Sequence, residues 1–211
     1  MARPRSENYD EKRQSIIEES SHLFASVGFD KTSIAMIAKQ CSISKALIYH
    51  YYKEKAEILY DLLYQHVEGL KKLVRGILDS DESDEKKFLH LVDSLMETYI
   101  HTREKHMILM KETNALSTEQ QQSLRTTQSE MVHDMATLVS RLHHTEALHH
   151  PKLSTAVGLV LLGSLNWTYT WFSEDGPLTS HQFAVLVSEI FLNGVRSPGL
   201  DQVSGPLSLV K

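Results

Sequence analysis

The segment Gly28–Lys55, GFDKTSIAMIAKQCSISKALIYHYYKEK, holds two short helices and the turn that joins them. Gly28 closes a preceding helix, because glycine adopts the left-handed conformation of a helix C-terminus without steric penalty. Thr32 and Ser33 cap a second helix that turns Ile34, Ile37 and Ala38 toward a core. Ser44 caps a third over Lys45–Tyr51. Lys39–Lys45 is then a tight turn, with Ile37, Ile43 and Ile48 filling the space between the two helices. Upstream, Ile16, Ile17, Leu23, Phe24 and Val27 recur at helical spacing and form the first helix. Three such helices, the last two joined tightly, describe a helix-turn-helix.

A recognition helix needs short side chains where it approaches DNA first and reaching polar groups beyond them. Ser44, Lys45, Ala46, Leu47, Tyr49, His50 and Tyr51 provide that mixture. Lys45, Ala46, Leu47 and His50 are expected to read base edges, and Thr32, Ser33, Tyr49, Tyr51 and Lys55 to hold phosphates. Arg3 and Arg5 lie in a polar leader suited to a flexible minor-groove arm. Pattern alone leaves a second reading open, a helical protein-interaction module with an ordinary polar surface.

Outward from this segment the chain reads as helix. A long helix covers about Ala56–Leu78, and the acidic run Asp79–Glu85 breaks it. Helices follow at about 85–102, 104–114 and 118–145, the last opened by a Ser117–Gln120 capping box. Pro151 marks a break, and two apolar helices at about Leu153–Phe172 and Thr179–Val195 close an all-α fold. The expected organisation is a helix-turn-helix DNA-binding domain at 1–55, a helical body at 56–197, and a flexible tail at 198–211.

Composition narrows the function classes. The 211 residues carry a net charge of −5, yet residues 1–55 hold nine Lys and Arg against seven Asp and Glu. The remainder holds thirteen against twenty, so a slightly basic module precedes an acidic body. The single cysteine, Cys41, excludes an intrachain disulfide framework and a Cys-based zinc finger, and reads as a buried, unactivated thiol. No apolar run reaches membrane-spanning length and the N-terminus lacks a signal-peptide core, so a cytoplasmic protein without membrane partners is expected. No glycine-rich phosphate loop, nucleophile elbow or H-E-x-x-H motif occurs, which argues against an enzyme and against a cofactor. His143-His144 and His149-His150 flank Thr145–Leu148 near Pro151. No cysteine or carboxylate set completes a metal site there, so they read as solvated loop histidines.

Ile16–Phe24, Gly28–Ile34, Ile37-Ala38 and Ser44–Lys55 together resemble the N-terminal signature of TetR-type transcriptional regulators. The resemblance implies DNA binding, an all-helical effector-binding and dimerisation domain at 56–197, and repression relieved when a small molecule releases the protein from a palindromic operator. It also implies that Tyr52 is a core aromatic. Ser42 departs from the pattern, standing where the family usually has glycine; a positive φ there would cost on the order of 1 kcal/mol.

Dimerisation has a physical argument of its own. Val157, Val160, Leu161, Leu165, Trp167 and Trp171, then Phe183, Val187, Ile190 and Phe191, are too apolar for the surface of a small domain. Gly158, Gly163 and Ser164 are notches that let helices approach closely, so pairing with a second copy would make a four-helix bundle. A two-fold operator likewise requires two recognition helices, about 34 Å apart.

For the effector, Met96, Tyr99, Met107, Met110, Met131, Met135 and Trp167 supply an adaptable apolar lining. Asn114, Thr113, and His101 or His106 are its candidate polar groups. The same methionines also suit plain core. Gly163–Phe172 and Gly176–Thr179 resemble the corresponding segment of TetR-type regulators of fatty-acid, phenylacetate and steroid breakdown, several of which respond to acyl-CoA thioesters. That resemblance implies cationic partners for CoA phosphates, with Arg103, Lys105, Arg125 and Arg141 available. The alternative is a regulator of efflux or detoxification that responds to a hydrophobic drug or metabolite.

Overall fold

Helix α1 runs from Arg5 to Val27 and stops at Gly28, whose φ is +92°. The computed structural model describes residues 5–142 and 150–195. After α1 come α2 (Ile34–Gln40), α3 (Lys45–Tyr51), α4 (Lys55–Leu78), α5 (Asp84–His101) and α6 (Arg103–Glu112). A 3-10 turn at Thr113–Ala115 leads to α7 (Thr118–Arg141), followed by α8 (Pro151–Asn166), α9 (Thr168–Trp171) and α10 (Ser180–Val195). Local chemistry explains the ends. Ser117 Oγ accepts from Gln120 N at 3.3 Å while Gln120 Oε1 accepts from Ser117 N at 3.1 Å, the reciprocal capping box. Lys87, nearly buried, donates through Nζ to the Leu78 carbonyl at 2.6 Å and so satisfies the end of α4.

The chain packs as two compact units. The first comprises the residues up to Glu68 together with Thr102–Arg125. Its core gathers Ile16, Ile17 and Phe24 of α1, Ile37 of α2, Ile48 of α3, Ile58, Leu59, Leu62 and Leu63 of α4, and Ile108 and Leu109 of α6. Lys105 to Glu18 at 2.6 Å and His22 to Glu104 at 2.7 Å link α1 to α6 at the rim. The second unit comprises Gly69–His101 and the residues from Thr126 on. Its core takes Val74 and Ile77 from α4, Phe88, Leu91, Val92 and Leu95 from α5, Leu138 and Val139 from α7, Leu161, Leu162 and Leu165 from α8, and Ala184 and Leu192 from α10. Phe88 stacks on Phe191 with centroids 5.3 Å apart, and Arg75 meets Asp134 at 3.1 Å. No described helix is long and apolar enough to cross a membrane.

Three expectations change. Arg5 opens α1, so its backbone is helical and not part of an extended arm. The single apolar helix expected at Leu153–Phe172 is interrupted at Trp167, where the Thr168 hydroxyl donates to the Leu165 carbonyl at 2.6 Å and competes with the helical ladder. Gly158 is buried in the protomer, where a Cβ would lie 3.6 Å from Ala136 of α7; it serves the α7–α8 approach and not a partner chain. Arg3, His143, His144, His149 and the tail 198–211 lie outside the described residues.

Candidate nucleic-acid interface and effector core

Ser33 and Ser44 cap α2 and α3, each hydroxyl accepting from the backbone N–H three residues on, at 3.2 and 3.1 Å. Between the helices the chain closes a Schellman turn, with Ser42 N donating to Lys39 O at 3.1 Å and Ile43 N to Ala38 O at 2.9 Å. Ser42 is the left-handed residue of that turn, at φ +54°, the positive value expected where the family pattern has glycine. Cys41 is half-buried beside it. Burial, and then the Glu19 charge, push its thiol up to about 11, so it is protonated and unreactive at neutral pH.

With the turn set, α3 buries one residue fully, Ile48 at 0% exposure, and leaves Lys45, Ala46, Tyr49 and His50 exposed. Leu47 and Tyr51 are half-buried. Ser44 is exposed but its hydroxyl is engaged as the cap. Lys31, Lys39, Lys45 and Lys53 are exposed nearby. Tyr52, just past α3, is buried and donates to Asp61 Oδ2 at 2.5 Å, and Arg13 of α1 meets the same oxygen at 2.7 Å. That triad joins the end of α3 to α1 and α4. Burial, followed by the Asp61 carboxylate, holds the Tyr52 phenol far above its ordinary range.

Two expected phosphate ligands are occupied inside the fold. Thr32 is 2% exposed, and its hydroxyl donates to the Gly28 carbonyl at 2.8 Å. Lys55 directs its ammonium at the carbonyls of Phe29, Asp30 (3.3 Å) and Thr32 (2.8 Å) and sits 4.1 Å from the Phe29 ring centroid. An ammonium has three protons, and here three carbonyls take them. Lys55 therefore pins the α1–α2 loop to the start of α4. Ser33 remains exposed. Sequence reasoning missed Tyr9 of α1, whose ring lies 4.5 Å from that of Tyr51 and 6.3 Å from that of His50. A signal was there: Tyr9 precedes Ile16 by seven residues and extends its stripe.

The expected effector residues divide between the units. Met96, Tyr99, Met131 and Met135 share the core of the second unit, none more than 6% exposed. Complete burial pushes the Tyr99 phenol well up. Arg103, Met107, Met110 and Asn114 belong to the first unit, where Arg103, Met110 and Asn114 are exposed and Met107 is half-buried. Trp167 is 63% exposed. Among the cations, Lys105 is paired with Glu18, and Arg141 lies 3.9 Å from Asp84. His150 caps α8, its Nδ1 accepting from Lys152 N at 3.3 Å.

Of the residues expected to dimerise, Val160, Ser164, Trp171 and Ile190 are exposed, Val160 and Ile190 by 64% and 66%. Val157, Val187 and Phe191 pack partly against the protomer's own core, and Leu161 and Phe183 are buried in it. Gly163 is exposed, and among the described residues nothing outside its own helix crowds the place a Cβ would take. Leu159, Val185 and Leu186, which sequence reasoning did not single out, join the exposed apolar set on α8–α10.

Residues 16–62 match the family model described as bacterial regulatory proteins, tetR family. Residues 81–195 match the tetracyclin repressor-like C-terminal domain. The chain is 23% identical over 190 residues to the HTH-type transcriptional repressor KstR2 of Mycobacterium tuberculosis, covering 90% of this chain and 95% of that protein. It superposes on a TetR-family transcriptional regulator from Bordetella parapertussis with a TM-score of 0.79 and 29% identity, covering 94% of this chain and 97% of the other. AibR, solved with isovaleryl coenzyme A and operator DNA, superposes with a TM-score of 0.73 at 22% identity, covering 86% and 98% of the two chains.

Proposed function

The chain belongs to the TetR family of transcriptional regulators, and on that premise we propose that it is a homodimeric repressor released from a palindromic operator by a small molecule. The observation that carries this reading is the exposed face of α3, with Lys45, Ala46, Tyr49 and His50 turned outward on a helix whose cap and core are complete. Lys45, Ala46, Leu47 and His50 read base edges in the major groove; Ser33, Tyr49 and Tyr51 hold phosphates. The exposed apolar side chains of α8–α10 pair with those of a second copy, presenting two α3 helices to two half-sites.

The effector enters the methionine core around Met96, Met131 and Met135, with Tyr99 as its polar partner. An acyl-CoA of a degradative pathway is the first candidate, supported by the isovaleryl coenzyme A in AibR and by the Gly163–Phe172 resemblance. Because coupling is reciprocal, an effector that prefers the operator-free conformation must lower operator affinity by the same factor. The test is the melting temperature of the full chain against short, long and aromatic acyl-CoAs and their free acids. A rise of several degrees with one thioester class, and none with its acid, supports the acyl-CoA reading. A flat response removes it and favours a hydrophobic drug or metabolite.

A further inference from the structure

His50 and Tyr51 stand in the last turn of α3, and His50 is exposed. Among the described residues its ring contacts are with Tyr51 at 5.4 Å, nearly perpendicular, and with Tyr9 at 6.3 Å, at 78°. Tyr9 also packs on Tyr51 at 4.5 Å and 35°, so one residue of α1 touches both rings. Among the described residues no hydrogen bond or ion pair orients the His50 imidazole; ring packing does. An unsupported imidazole would sample several rotamers and lose that freedom on meeting a base.

We infer that Tyr9 is a positioning residue for operator reading: its ring holds His50 and Tyr51 in the arrangement in which they meet DNA. This rests on the DNA-binding reading above. It assigns to the first turns of α1 a role in specificity that needs no DNA contact from the Tyr9 hydroxyl. Tyr9 is 40% exposed, and its loss opens no core cavity, so the effect should appear in recognition and not in folding.

The experiment uses the full chain. Wild type selects its preferred duplexes from random DNA, and fluorescence anisotropy then measures Kd for wild type, Tyr9→Phe, Tyr9→Leu, His50→Ala and the Tyr9→Leu/His50→Ala pair. The expected result is Tyr9→Phe within about twofold of wild type and Tyr9→Leu weaker by on the order of tenfold, with the melting temperature held. Tyr9→Leu should also lose base discrimination at the position where His50→Ala loses it. In the His50→Ala background the Tyr9→Leu effect should shrink to a minor factor, because the group it positions is gone. A Tyr9→Phe loss as large as that of Tyr9→Leu overturns the inference, since it would mean direct contact by the hydroxyl. Additive losses in the double variant, or a Tyr9→Leu chain with wild-type base preferences at any affinity, overturn it as well. A wild-type chain that enriches no sequence overturns the DNA-binding reading itself, and the inference with it.

Discussion

His66 of α4 and His106 of α6 meet inside the first unit, Nε2 to Nδ1 at 3.4 Å, with 7% and 2% exposure. Burial, then the charges of His106 and Lys105, push His66 down from its ordinary 6.5 to about 3. The unfolded chain therefore takes a proton on His66 below about pH 6.5 while the folded chain refuses it until about pH 3. Across that window the unfolded state binds more protons, so stability falls as pH falls, at a limiting slope of about 1.4 kcal/mol per pH unit. Integrated from about pH 7.5 to about pH 5, the loss from this one side chain is about 2 kcal/mol. In a chain of this size that is about 4–8 °C of melting temperature. The assay compares wild type with His66→Gln, whose amide keeps a polar partner for His106 and carries no proton, so acid effects common to both proteins cancel in the difference. Chemical denaturation at both pH values should show wild type losing about 2 kcal/mol more than the variant on acidification. Equal acid losses in the two proteins would refute the reasoning, because they would mean that His66 charges without penalty and is not desolvated as the fold indicates.

Ile190→Glu, at a side chain already 66% exposed, should turn the proposed dimer into monomer in sedimentation while leaving the helical content of the protomer unchanged; a persisting dimer would move the interface elsewhere. Ser42→Gly should raise stability by about 0.5–1 kcal/mol, read as a melting shift of about 1–4 °C, because it relieves the φ of +54° at the turn. Lys55→Met should cost about 2 kcal/mol of folding stability by removing the ammonium's bonds to the Phe29, Asp30 and Thr32 carbonyls. It should leave the slope of log K against log salt unchanged, whereas a phosphate ligand would remove about 1–2 from the slope of a dimer.

The parts of the fold legible in the sequence were those governed by neighbours along the chain. Gly28 as a helix stop, Ser33 and Ser44 as caps and the Ser117–Gln120 box follow from backbone groups within three or four residues, whereas the positive φ at Ser42 was expected only from the glycine that the family pattern has there. The same arithmetic finds the outward face of α3, because burying Ile48 leaves its neighbours exposed. Lys55 was illegible for the opposite reason. A lysine after a recognition helix has the chemistry of a phosphate ligand, and only folding brings its ammonium to carbonyls 23 to 26 residues earlier. Apolar helices at the C-terminal end pose a related problem. Periodicity says that α8 and α10 are apolar on several sides, but it cannot divide those sides between the protomer's core, which takes Leu161 and Phe183, and the surface, which keeps Val160 and Ile190. The methionines divided in the same way, with Met96, Met131 and Met135 in one core and Met110 exposed in the other unit.

A closed methionine core sets terms for any effector. Met96 and Met135 are fully buried, so the proposed effector site would have to open from this conformation, and opening it would subtract from the effector's apparent affinity. Unbranched thioether side chains keep that penalty small, because they repack through several rotatable bonds where leucine or phenylalanine would clash. Driving a repressor from about 99% to about 1% operator-bound needs a differential affinity of about 10⁴ between the two conformations. Two effector molecules, one in each protomer, divide that requirement to about 100-fold apiece, within the reach of a mainly apolar ligand. The apolar face on α8–α10 then has two consequences. In the proposed dimer it would double the number of α3 helices on DNA and halve, in free energy, the discrimination each methionine core must supply. A monomer of this chain would meet the operator with four exposed side chains of α3 and would have to answer the effector alone.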